Sequence, residues 1–171
     1  MKKLMIFLIF FALLGCNSII KNKQTSDNFN CPRVFFSSED RIFVDAYKDS
    51  TLIDDVTLKA ELNNFALTKK CYKQNKNVII PIDILIIAEP TNNLKNPNVS
   101  IPLYAILLDQ NDKILETQYF LFTNLIKKNL ETNNFIETDI KDNLRIVTSE
   151  LKTTQVVIGF MLDDKKRLLI N

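Results

Sequence analysis

The chain has 171 residues, with 22 basic and 20 acidic side chains and a formal charge of +2. This length suits one domain with a substantial core. The balanced charge gives no excess of basic residues of the kind that nucleic-acid binding requires. The sequence contains no histidine, which excludes Ser-His-Asp and Cys-His catalysis and zinc held by histidine.

The N-terminus combines a basic start with a short apolar run. Lys2 and Lys3 precede an uninterrupted apolar stretch over residues 4–14, which is shorter than the ~20 residues needed to span a bilayer. This pattern is typical of a cleaved secretory signal peptide. We therefore predict a signal peptide over residues 1–15, a flexible polar tether over residues 16–30 and a single domain over residues 31–171.

The apolar run ends in Leu13-Leu14-Gly15-Cys16, which resembles the lipobox of bacterial lipoproteins. The resemblance implies cleavage before Cys16 and acylation of that cysteine, so that a covalent lipid such as palmitate anchors the protein to the membrane. It also implies a membrane-anchored protein that faces the periplasm, and Asn17 after the cysteine favours the outer membrane. The alternative is an ordinary cleaved signal that contains a cysteine.

With Cys16 assigned to lipid, two cysteines remain, Cys31 and Cys71. An exported chain enters an oxidising compartment, where a remaining pair is normally bridged. We therefore predict a Cys31–Cys71 disulfide, which closes a loop of about 40 residues and stabilises the fold by roughly 4 kcal/mol in the chain-entropy treatment. Two separate buried thiols are the alternative.

Strand patterns follow the first of these cysteines and continue almost to the C-terminus. In the segment over residues 56–72 the apolar positions shift by one residue near Asn63-Asn64, which indicates a β-bulge. This strand and the next one form a long hairpin over residues 56–88. Glycine is nearly absent, so asparagine and aspartate must supply the turns. The predicted strands span residues 33–37, 41–46, 56–72, 78–88, 101–108, 113–122, 135–140 and 156–162.

Two segments near the C-terminus favour short helices. Residues 142–152 place Leu144, Val147 and Leu151 at helical spacing, and residues 163–170 allow one or two helical turns. The whole pattern predicts a mainly all-β fold, an antiparallel immunoglobulin- or fibronectin-like β-sandwich with one or two short helices near the C-terminus. A small up-and-down barrel is the alternative.

Four short motifs occur one after another along the predicted domain. They are Cys31-Pro32-Arg33-Val34, Cys71-Tyr72, Tyr104-Ala105 and Val157-Ile158-Gly159-Phe160-Met161-Leu162. Their sequence resembles a group of small alphaproteobacterial lipoproteins of uncharacterised function. The chain departs from that group by carrying Ile158 before the glycine, and the resemblance implies no catalytic or binding residues.

Two carboxylate pairs are candidates for chemistry in the sequence. The carboxylates of Asp54-Asp55 and Asp163-Asp164 are suited to bind calcium or to act in acid–base catalysis. Roles in turns and helix caps explain these pairs better. Asp83 lies within an apolar run and is expected to face solvent or to form a salt bridge. Pro81 in the same run is expected at a sheet edge or a bulge.

Three predicted strands, residues 78–88, 101–108 and 113–122, carry apolar residues on both faces, although a sheet with one face in water needs them on only one. In the third of these strands Tyr119 and Leu121 lie opposite Phe120 and Phe122. On the second face of the first two strands lie Ile79, Leu85 and Ile87, and Tyr104 and Ile106. Either the chain covers this surface itself, through residues 124–130 or its C-terminal turns, or another molecule does. We name these five residues as a possible partner face for an envelope protein or a homo-oligomer.

These observations favour a lipid-anchored cell-envelope interaction or scaffold module with no catalytic activity. We expect the protein to attach to the membrane through the lipid on Cys16. We expect no metal, cofactor or nucleic acid to bind. The alternative is a periplasmic carrier of an apolar ligand, with isoleucine, leucine and phenylalanine lining a cavity. A third hypothesis is an enzyme that uses only carboxylates, serine, threonine or lysine.

Overall fold

Two β-sheets make up most of residues 30–170, the part of the chain that the computed structural model describes. The elements are β1 (Arg33–Phe36), β2 (Ile42–Ala46), two short 3-10 helices (Tyr47–Asp49 and Ile53–Asp55), β3 (Val56–Leu67), β4 (Tyr72–Gln74), β5 (Asn77–Pro90), β6 (Asn98–Leu108), β7 (Ile114–Leu125), β8 (Thr138–Thr148), β9 (Gln155–Phe160) and α1 (Asp164–Leu168).

The first sheet has the strand order β1-β9-β6-β7. In the second sheet β2 pairs with β3, β3 with β5, and β5 with β8. Short β4 continues the line of β3, because both pair with one edge of β5 while β8 occupies the other edge. Adjacent strands are antiparallel except for β1 and β9, which are parallel.

The inner faces of the two sheets form the hydrophobic core. Ile80, Ile82 and Ile86 of β5 and Leu103 and Phe160 of the first sheet all have 0% exposure. Every second residue of a strand faces the core, and burial of each such side chain contributes about 1.5–3 kcal/mol. The prediction of an all-β sandwich with a short C-terminal helix is confirmed, and the barrel alternative is wrong because the strands form two separate sheets.

The predicted bulge lies in β3. Its register against β5 shifts between Leu62 and Asn64, so one residue of β3 is left without an opposite partner. The extra residue restores the inward parity at Phe65, which packs against the core and meets the ring of Phe36 edge-on with 5.2 Å between centroids. The bulge therefore keeps both halves of a long strand buried on one side.

Pro81 lies in the middle of β5, the strand between β3 and β8, and not at a sheet edge. Its carbonyl oxygen accepts a hydrogen bond from Thr68 Oγ1 at 3.4 Å, where β3 has ended and β4 has not begun. Since the N–H and C=O of one residue point to the same neighbour in an antiparallel ladder, the missing donor faces this gap. The proline thus costs no ladder hydrogen bond.

Asparagine and aspartate fill turns where glycine would be usual, as expected. Asn75, Asp112 and Asn133 each have a φ of 59°, and Lys48 has a φ of 52°. The short polar side chains of asparagine and aspartate tolerate the left-handed region of backbone angles better than most side chains do. Gly159, in contrast, is not a positive-φ residue.

The predicted helix over residues 142–152 is wrong. This segment belongs largely to β8, which pairs with β5 in register from Thr138 to Thr148. Burial follows a period of two, because Leu144 and Ile146 are buried and Arg145 is exposed. The helical spacing was coincidental, since Leu151 keeps 56% exposure. A long-range strand pairing overrode a weak local preference.

The helical turns predicted at the C-terminus are confirmed as α1. Asp163 caps this helix by accepting a hydrogen bond from the backbone N–H of Lys166 at 2.8 Å. Leu169, which follows α1, packs with Val44, Ala46 and Val56 on the second sheet. Within residues 30–170 no helix is long and apolar enough to cross a membrane.

The predicted Cys31–Cys71 disulfide is present, with 5.3 Å between the Cα atoms. Cys31 precedes β1 in the first sheet, and Cys71 precedes β4 in the second. The bridge therefore ties one sheet to the other at the start of the described chain.

Candidate interaction surface

The outward-facing residues of the first sheet are mostly apolar. Alternation and register place them on the side away from the core, and we call this surface the outer face of the first sheet. Among the outward-facing residues of its four strands, Arg33 is the sole charged one. Its apolar members are Phe35, Pro102, Tyr104, Ile106, Leu108, Ile114, Tyr119, Leu121, Leu125 and Val157.

Strand register makes these residues neighbours. Phe35 pairs with Val157, which pairs with Ile106, so one apolar row runs across three strands. Tyr104 lies next along β6 and pairs with Tyr119 of β7. Cross-strand partners have Cβ atoms about 4.5–5.5 Å apart, so the residues form one patch, which the polar pair Ser100 and Thr123 interrupts between Leu121 and Leu125.

Much of this patch is open to solvent. Tyr119 keeps 66% exposure, Leu121 65%, Leu125 60% and Ile114 58%. Where one face of a sheet meets only water, the side chains on that face are normally polar. Large continuous apolar patches mark interaction sites on soluble proteins.

The second sheet has a different outer face. Leu85 and Ile87 of β5 are half-buried, and their register partners on β8 are Lys141 and Asp139. Asp83 is exposed, as expected, and accepts a hydrogen bond from Asn143 Nδ2 at 2.8 Å. Long polar side chains thus flank the few apolar residues of this face.

The five residues predicted as a possible partner face do not lie together. Ile79, Leu85 and Ile87 point outward from the second sheet, whereas Tyr104 and Ile106 point outward from the first. Ile79 has only 2% exposure, between its register partners on β4 and β8. The structure therefore brings together only the pair on β6.

The sequence places Tyr119 and Leu121 on the second apolar face, but the predicted five-residue partner face left out these most exposed members of the outer face. Tyr119, Leu121 and Leu125 belong to β7, and Phe35 belongs to β1. The signal was present in β7, where apolar residues occupy both parities. The missing information was which sheet each strand joins, since only then do outward residues of four strands become one surface.

A polar cluster lies at the margin of this face. Tyr104 Oη donates a hydrogen bond to Asp40 Oδ2 at 2.6 Å, and Arg167 Nη1 lies 2.7 Å from Asp40 Oδ1. Burial raises the pKa of Tyr104 to about 12, and donation to Asp40 adds to the rise. The hydrogen bond to Asp40 also raises the pKa of Arg167 above its ordinary value.

This cluster connects three parts of the fold. Asp40 lies between β1 and β2, Tyr104 on β6 and Arg167 on α1. Asp40 has 7% exposure, so its charge is held among partners instead of water. Its arrangement fits a structural clamp, because both neighbours of the carboxylate are donors and neither is a base or a nucleophile.

Next to this cluster is a surface cleft of about 600 Å³. Arg41 lines the cleft and pairs with Glu61 at 3.2 Å, while Arg167 is engaged by Asp40. A second cleft, of about 450 Å³, lies beside the β3 bulge and includes Phe65 and Leu85.

One carboxylate of each pair has a structural role. Asp55 Oδ2 accepts a hydrogen bond from Ser50 Oγ at 2.6 Å, and Asp163 caps α1. Asp109 accepts hydrogen bonds from the backbone N–H groups of Asn111 and Lys113 within the β6–β7 turn. Over the described residues 30–170, no group of three or more acidic or cysteine side chains is arranged to hold a metal ion.

No family model, curated protein sequence or solved structure matches this chain. The resemblance to small alphaproteobacterial lipoproteins therefore stays a hypothesis drawn from short motifs. Cys16, the predicted lipidation site, and the Leu13-Leu14-Gly15-Cys16 motif lie outside the described residues, as do the signal peptide and nearly all of the tether.

Proposed function

We propose that this chain is a lipid-anchored interaction module of the cell envelope, with no catalytic activity. The observation that carries the proposal is the exposed, almost uncharged outer face of the first sheet. A lipid on Cys16 holds the domain at the membrane through the tether, and the outer face binds another protein. The lipobox supports the anchor, and the exposure of Tyr119 and Leu121 supports the interaction.

The packing of the core favours this module over a carrier of an apolar ligand. Leu62, Ile82, Leu103 and Ile158 have 0% exposure, which leaves no water-sized space beside them. A carrier needs a cavity of roughly 300–1,000 Å³ lined by such residues. The apolar side chains of the inner faces are instead used to hold the two sheets together.

Membrane fractionation tests the anchor. Cys16→Ser removes the acylated sulfur, so we expect the protein to leave the membrane fraction or to stay uncleaved with its signal attached. Cys71→Ser in the same chain removes a different cysteine and should leave the protein in the membrane. Cleaved Cys16→Ser protein that still fractionates with membranes would contradict the lipid anchor.

Native mass spectrometry after gentle extraction of the full chain tests the interaction. We expect a bound protein, and Leu121→Lys should remove it because a charge enters the apolar contact. Leu52→Lys is the matched control, since Leu52 has the same 65% exposure as Leu121 but lies outside both sheets. A bound lipid or other apolar ligand in place of a protein would favour the carrier.

A further inference from the structure

We propose that the partner bound by the outer face of the first sheet is a second copy of this chain, with the two faces stacked on each other. This inference rests on the proposed function, because it assumes that the exposed face is a protein-binding surface. It goes further by naming the occupant.

The charge of the face allows it to pack against itself. Arg33 is the sole charged residue that faces outward on its four strands, and its guanidinium carbon lies 5.8 Å from the ring centre of Phe35. From the strands themselves, two copies in contact therefore bring together no carboxylates and only one guanidinium each, at the β1 edge, while Asp40 and Arg167 at the margin of the face neutralise each other. Like-charge repulsion, which blocks most homotypic contacts between charged surfaces, is nearly absent.

The projected area of the face approaches the lower limit of what a specific dimer buries. β6 has 11 residues and β7 has 12, while β9 has 6 and β1 has 4. With strands ~4.8 Å apart and ~3.3 Å per residue, the projected area is about 500 Å² before side-chain relief is added. Specific interfaces bury roughly 600–1,000 Å² on each partner.

The chain's own described segments leave most of this face open, although Asp40 contacts Tyr104 at its margin. Ile126 has 3% exposure and joins the core, whereas Leu130 has 97% exposure and covers nothing. The residues after α1 pack on the second sheet. In residues 17–29 the sequence offers only Ile19, Ile20 and Phe29 as large apolar side chains, against ten on the face.

Stacking of two sheets is also the packing that this fold already uses inside. Sheets stack about 10 Å apart when apolar side chains from both interdigitate. Tyr119 and Leu121 project from β7 with about two thirds of their surface exposed. Tyrosine is among the residues that most often dominate interface energies, so we expect Tyr119 and Leu121 to be main anchors.

Co-isolation of two differently tagged full-length copies tests the proposal. Both copies are expressed together in the same envelope, and one tag is used to recover the other. We expect wild-type copies to co-isolate, Leu121→Lys in both copies to weaken the association at least tenfold, and Leu52→Lys to have no effect. The far-UV circular dichroism spectrum of each variant should match that of the wild type, because both side chains are exposed in the single chain and neither contributes to its core.

Contact in place is tested with a photo-reactive benzophenone side chain at position 119 of the full chain. Illumination of intact cells should join the two tags into one species of twice the mass. If it joins only another protein, a lipid or the chain's own tether, the dimer is overturned. Absence of any adduct, together with failed co-isolation of wild-type copies, overturns it as well.

These outcomes separate this inference from the proposed function. If the tagged copies do not co-isolate but a different protein is bound and lost with Leu121→Lys, the dimer is wrong and the interaction module stands. If Leu121→Lys and Leu52→Lys behave alike and no protein is bound, both proposals fail.

Discussion

Tyr104 explains the one glycine among the described residues. Its ring lies over Gly159 of the neighbouring strand, and a Cβ atom at residue 159 would lie 2.5 Å from Tyr104 Cζ. The glycine is therefore required by the close approach of the ring and not by a special backbone angle. An aromatic ring packed over a cross-strand glycine also shields that backbone from water.

The same ring positions the hydroxyl group that satisfies Asp40. We expect Tyr104→Phe to lower the free energy of unfolding by about 1–3 kcal/mol, because a buried carboxylate loses a donor. Chemical denaturation measures the loss. Tyr119→Phe is the matched control, since Tyr119 is the register partner of Tyr104 but keeps 66% exposure, and its change should stay within about 0.5 kcal/mol.

This interaction also predicts a dependence on alkaline pH. The pKa of Tyr104 rises from 10.0 to about 12 in the folded state, so folding favours the protonated phenol. Its contribution is complete below pH 10 and is lost as the pH rises through about 12. The wild-type protein should lose stability over this window more steeply than Tyr104→Phe, and parallel curves would contradict the role of the phenol.

Among the elements, β8 shows most clearly how tertiary pairing decides local structure. Ile146 has 0% exposure in the core, whereas its neighbour Arg145 is exposed and donates to Gln74 Oε1 at 3.1 Å. We expect Ile146→Ala to lower the free energy of unfolding by about 2–5 kcal/mol. Arg145→Ala should change it by no more than about 0.5 kcal/mol.

Urea denaturation of the two variants distinguishes a strand from a helix at this place. On a strand, adjacent residues point to opposite faces, so neighbouring substitutions should differ sharply. Similar losses at both positions would show that the period of two is wrong.

At the scale of the whole molecule, the disulfide links the two layers of the sandwich. Cys31 and Cys71 are 40 residues apart in sequence, so their bridge strongly lowers the conformational entropy of the unfolded chain. The double variant Cys31→Ser, Cys71→Ser should lose roughly 4 kcal/mol of unfolding free energy. Denaturation with and without reductant measures this: wild type should become as unstable as the variant when reduced, and the variant should not respond.

The two outer faces of the sandwich differ in charge, so the molecule has two chemically different sides. One is nearly free of charge and exposes Tyr119 and Leu121, whereas the other carries Lys59, Glu61 and Lys141 around its few apolar residues. The domain thus has one side rich in charge and one apolar side, and the proposal is that a partner covers the apolar side.

Much of the local structure follows from the amino-acid sequence alone. Alternation marked most of the strands, parity marked the bulge near Asn63, and the cysteine count marked the disulfide. Asparagine and aspartate marked turns at Asn75 and Asp112. These features follow from periodicity and residue chemistry over short stretches, so no knowledge of distant contacts is needed.

The tertiary structure decided which strands share a sheet and therefore which residues share a surface. The sequence grouped Ile79, Leu85 and Ile87 with Tyr104 and Ile106, but pairing divides them between two outer faces. It also decided that residues 142–148 form a strand and that Asp40, Tyr104 and Arg167 meet. Each depends on contacts far apart in the chain, whose energies come from burial and pairing that no local pattern records.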